Sequence, residues 1–80
     1  MKRTYTYIAI YDNNAQSYMV RHLRDDLEKY KQLVTKLQKK GYNIDYEYCI
    51  DSFGTDAACA QRCKVDENYI YNLLHKAEFD

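Results

Sequence analysis

The 80-residue sequence predicts a single small α/β (α+β) domain, residues 1–80, in the order β-α-β-α-α. It would be a two-stranded parallel sheet covered by one long and two short helices. Three observations lead there. Two segments, TYTYIAIYD (Thr4–Asp12) and NIDYEYCID (Asn43–Asp51), have the β-branched and aromatic content of strands. The stretch between them carries apolar residues at helical spacing. After them come two short segments that begin with capping residues. No linker, repeat or low-complexity segment divides the chain, and a domain of this size buries only about 60% of its unfolded surface.

In the first strand Tyr5, Tyr7, Ala9 and Tyr11 share one face, and Thr6, Ile8 and Ile10 the other. Asp12, Asn13 and Asn14 then break it, and all three are good helix N-caps. A helix from about Ala15 to Lys40 is expected next. Its apolar stripe is Val20, Leu23, Leu27, Tyr30, Val34 and Leu37, widened by Met19 and Leu33. Lys39-Lys40-Gly41 reads as its stop, with bases opposing the helix dipole and a glycine able to take a left-handed cap. In the second strand Ile44, Tyr46, Tyr48 and Ile50 alternate with Asp45, Glu47, Cys49 and Asp51. A long helix between two strands predicts a parallel crossover. Two strands leave open edges, for which a homodimer or an added partner strand is the remedy. The long helix is a second possible dimer contact. Thr55 can cap a helix from Asp56 to about Arg62, and Asp66 one from Glu67 to about Ala77. Val65 and Ile70 have the spacing of a hydrophobic staple.

Twelve basic residues balance twelve acidic ones, which removes the bulk electrostatic argument for nucleic acid or membrane binding. The charges are segregated, however. Residues 1–40 carry nine bases and four acids, and residues 56–80 three bases and five acids. Lys2-Arg3 leads into polar residues, so no signal peptide is expected, and no apolar run has the length of a membrane span. Three cysteines suit reduced thiols in a cytoplasm better than a disulfide framework. Cys49, Cys59, Cys63 and His75 hold no CxxC spacing, so buried small residues are expected rather than zinc ligands. No cofactor is expected.

The segment DAACAQRCKVDENYIYNLLH, Asp56 to His75, resembles the helix-turn-helix of many repressors. Ala60 stands at the small position of the first helix, Val65 after the turn, and Ile70 and Leu73 on the second helix. The resemblance implies two helices meeting at a turn and a DNA-reading second helix. Lys64 stands where the motif usually has glycine, and Asp66 and Glu67 would face phosphates. In layout the chain is also similar to the catalytic domain of serine recombinases, with its strand, long helix and KGY before a second strand. Tyr11-Asp12 stand where that family has its serine, and Ala9 where it has an arginine, so the activity is not carried over.

These features make three readings. The first is a small non-enzymatic binding or regulatory protein acting through protein contacts, as an inhibitor or adaptor of the phage or mobile-element type. Its candidate interface is the tyrosines Tyr5, Tyr7, Tyr11, Tyr46 and Tyr48, since tyrosine is enriched in interfaces. The second is a helix-turn-helix regulator contacting DNA through Arg21, Arg24, Lys36, Lys39, Lys40, Asn68 and Tyr71, a reading the acidic second half disfavours. The third is a Mg²⁺-dependent nucleic-acid enzyme using Asp12 and Asp51, which a parallel sheet would place together at its carboxyl end.

Overall fold

In the computed structural model, residues 7–22, 27–49 and 58–79 are described. Strand β1 (Tyr7–Asp12) is followed not by a helix but by β2 (Ser17–His22), with which it forms an antiparallel hairpin. The signal read as a helix cap is turn chemistry. Asp12 Oδ1 accepts hydrogen bonds from the backbone amides of Asn14 (2.9 Å) and Ala15 (3.2 Å), and this closes an Asx-type turn. Gln16 completes the loop in the left-handed region, at φ 53°. Beyond it Tyr18 and Val20 alternate with Met19 and Arg21, as a strand requires. The three-four spacing that ran through Val20 therefore began as a period of two.

Helix α1 (Leu27–Lys39) is the remainder of the long helix expected from Ala15. It ends as read. Gly41, at φ 99°, follows it, with the amide of Tyr42 bonded to the Leu37 carbonyl (3.1 Å) and that of Gly41 to Gln38 (3.0 Å). This is a Schellman cap, and Tyr42 packs against the same core as Leu37. Strand β3 (Ile44–Cys49) then pairs with β1, antiparallel and not parallel. Because β1 opposes both neighbours, β2 and β3 run parallel with β1 between them. The expected crossover exists, but its first strand is β2.

A 3-10 turn (Ala58–Gln61) stands where an α-helix from Asp56 to Arg62 was expected, and Asp56 itself lies outside the described residues. Next come a two-residue strand β4 (Lys64–Val65), parallel to β2, and helix α2 (Glu67–Glu78). Asp66 caps α2, accepting from the Tyr69 amide at 3.2 Å. Val65 is 63% exposed, so the staple with buried Ile70 does not form. The result is a mixed α+β fold with one four-stranded sheet, order β3-β1-β2-β4, and two α-helices. Sheets of three or more strands with a covered face do not need a second copy for stability.

The two sheet faces carry different cores. Ile8, Ile10, Met19 and Ile44 meet Leu33, Val34 and Leu37 of α1 and Ile70, Leu74 and Ala77 of α2. On the opposite face Ala9, Tyr18 and Cys49 pack with Cys59 and Cys63 around the 3-10 turn. The carboxylate of Glu47 accepts from the Ala58 amide and ties that turn to the sheet. Arg62 lies 5.1 Å from the Tyr11 ring centroid and donates to Asn13 Oδ1, which holds the same segment against the hairpin.

Candidate protein-interaction surface

The register divides the tyrosines that the sequence grouped on one surface. Tyr7 pairs with Cys49 and Tyr11 with Asp45, whereas Tyr46 pairs with Ile10 and Tyr48 with Ile8. Directly opposed residues share a face, so Tyr7 and Tyr11 lie on the face of the 3-10 turn and Tyr46 and Tyr48 on the helix face. The register pairs odd-numbered residues of β1 with odd-numbered residues of β3, and so divides Tyr7 and Tyr11 from Tyr46 and Tyr48. Tyr5 lies outside the described residues. Tyr46 and Tyr48 do meet, edge to face, with ring centroids 5.9 Å apart at the edge of the sheet.

Beside them lies the exposed flank of α1. An open groove of about 480 Å³ is lined by Glu28, Lys31, Gln32, Thr35, Lys36 and Lys39, together with Tyr46. Lys31 stands between Glu28, at 3.7 Å, and the two tyrosines. Tyr48, then Glu28 and Tyr46, push its pKa above the ordinary lysine value. Gln38 reaches from the same helix to the Ile44 carbonyl at 2.9 Å. Asp45 and Glu47 project from the other face of β3, so this edge is basic on its helix side and acidic on its reverse.

A second exposed surface is on α2. Tyr71, His75 and Phe79 follow at intervals of four, one above the next on a helix. Tyr71 stacks on His75 (5.9 Å, interplanar 17°), and His75 meets Phe79 edge-on at 4.7 Å. Arg21 caps the row, 5.9 Å from the Tyr71 centroid and 3.9 Å from Glu67. Phe79 is 74% and Tyr71 51% exposed. Sequence reasoning missed this row, although its i, i+4 aromatic spacing was there to read.

The residues considered for nucleic acid do not form one stripe. Arg21 and Tyr71 are together on α2's side. Lys36 donates to the Ala77 carbonyl at 3.4 Å, Lys39 lines the α1 groove, and Lys40 lies by the hairpin loop. Asn68 is exposed beside Asp66 and Glu67 at the acidic start of α2. Lys64, the residue at the motif's turn, is in β4 and is not among the positive-φ residues. Arg24 lies outside the described residues.

Asp12 is only 2% exposed, and its second oxygen, Oδ2, accepts from the Tyr69 hydroxyl at 2.9 Å. Burial, then the bond to Asp12, pushes the Tyr69 pKa up. The crevice imagined with Asp51 has no counterpart in the pairing. Asp12 faces Ile44 at the beginning of β3, so the carboxyl ends of β1 and β3 are at opposite ends of the sheet. Asp51 itself lies outside the described residues. The three cysteines are all buried with no disulfide between them, and burial, helped by Glu47, pushes the thiol of Cys59 up to about 12. His75 is on the opposite side of the sheet from them. Among the described residues no group of three or more His, Cys, Asp or Glu is placed to hold a metal ion, and no helix is long and apolar enough to cross a membrane. No protein-family model matches this chain, and neither do any curated protein or solved structure.

Proposed function

We propose that this chain is a small, non-catalytic protein-binding module, a regulator, inhibitor or adaptor of the type found on phages and mobile elements. The observation that carries the reading is the exposed aromatic row Tyr71–His75–Phe79, capped by Arg21. Aromatic and arginine side chains dominate the energetics of protein interfaces, and contiguous exposed apolar surface marks contact sites. Tyr48 adds a further exposed aromatic at the far edge of the sheet. Small size, balanced charge and high tyrosine content fit a regulator that works by occupying another protein.

Site-specific photo-crosslinking in cells that naturally carry the chain tests this. A photoreactive phenylalanine is placed at Tyr48, Tyr71 or Phe79, with Gln61 as an exposed control. A discrete protein adduct from at least one aromatic position, and none from the control, is expected. No adduct above the control would overturn the reading. So would tight duplex-DNA binding that falls steeply with salt.

A further inference from the structure

We propose that the β3 edge is a docking site for an extended segment of another protein, in which acidic and basic side chains alternate. The proposal rests on the binding-module reading and adds where the partner sits and what its chemistry is. Among the described residues β3 is the outer strand of the sheet on this side. A strand added there continues the hydrogen-bond ladder, and its side chains point alternately to the two faces. On one face they meet Tyr46, Tyr48 and the row Lys31, Thr35 and Lys39 along α1, with Lys36 behind, three bases against the single acid Glu28 among the described residues of the groove. On the other they meet Asp45 and Glu47, the latter also holding the Ala58 amide. Opposite charges across neighbouring strands attract and like charges repel, so the partner is acidic toward the helix and basic toward the reverse. Asp45 Oδ1 covers the Tyr46 amide at 2.8 Å and Gln38 Nε2 the Ile44 carbonyl at 2.9 Å, local bonds that a docked strand exchanges for ladder bonds.

The same charge pattern rejects a second copy. A closed pair of identical edges is antiparallel, because only a twofold axis normal to the sheet keeps both pleats in phase. That symmetry sets Asp45 and Glu47 of one copy against those of the other, and one lysine row against its equal. The expected homodimer through this edge is therefore opposed on both faces. Nucleic acid is opposed by Asp45 and Glu47, which would repel a phosphate chain on the reverse of this edge.

The test uses the whole chain and three probes: a short capped peptide alternating Glu and Lys, one of the same composition with its charges in two blocks, and a single-stranded DNA oligonucleotide. Amide resonances are followed during titration. The alternating peptide is expected to shift β3 resonances saturably and to bind more tightly than the block peptide. The double variant Lys31→Glu with Lys39→Glu should weaken it at least about fivefold, whereas Lys76→Glu on α2 should leave it unchanged. Equal binding of both peptides, no binding, indifference to the lysine reversal, preference for the oligonucleotide, or concentration-dependent dimerisation through β3 would each overturn the proposal. If crosslinks form at Tyr71 or Phe79 while the alternating peptide fails, the edge site falls and the binding-module reading stands. If both fail, both fall.

Discussion

Asp12 and Tyr69 form a polar contact between the hairpin and α2, and each satisfies the other in a site with little water. Tyr69→Phe leaves Oδ2 without that donor, so a loss of about 1.5–3 kcal/mol is expected from urea titration, the range for hydrogen bonds to charged groups. The sequence told us that Asp12 was a structural breaker but not which kind, because Asp and Asn serve turns and helix caps through the same side-chain-to-amide bonds. Its partner, 57 residues away, left no local signal. Cys59 has a pH signature. An unfolded thiol ionises near 9.0, and the buried one holds its proton up to about 12. Between those values the native state binds more protons than the unfolded state, so stability is full below pH 9.0 and falls as pH rises toward 12. Tyr11, Tyr18 and Tyr69, also raised, push the same way. The measurement is the urea midpoint against pH, in which Cys59→Ala should decline less steeply than the parent through this window.

Elements whose signals are local were legible. β3, α2 with its Asp66 cap, and the end of α1 fall within two residues of where the sequence puts them. Gly41 has nothing within 4 Å of where a Cβ would stand, so its role is conformational and not steric. Gly41→Ala should therefore cost about 1–2 kcal/mol, the penalty of a left-handed L-residue, read as a lowered thermal midpoint with the fold retained. A loss much above that range would show a packing role that the open space around Gly41 contradicts. The hairpin was not legible. DNNAQS can open a helix or turn a hairpin, and the decision is made by β2's place between β1 and β4. The 3-10 turn followed the same logic: Cys59 and Cys63 have helical spacing, yet the segment packs flat on the sheet with Glu47 holding its start.

For the whole molecule, a strand where the first part of the long helix was expected changes everything that depends on direction. A parallel pair with Asp12 beside Asp51 would have gathered those carboxylates at one end and set the five grouped tyrosines on one side. The antiparallel pairing puts the carboxyl ends of β1 and β3 at opposite ends of the sheet, divides Tyr7 and Tyr11 from Tyr46 and Tyr48, and leaves a sheet edge with a basic flank and an acidic reverse. The residues of that edge were visible in the sequence as a basic first half and an acidic strand. Their juxtaposition was not, because it depends on which strand closes the sheet. The central claim, that this edge is where another chain is received, is tested most directly by amide hydrogen exchange of the whole chain, alone and saturated with the alternating Glu-Lys peptide. Slowed exchange confined to Ile44–Cys49 is the result expected. Unchanged exchange along β3, or slowing confined to Tyr71–Phe79 on α2, would contradict it.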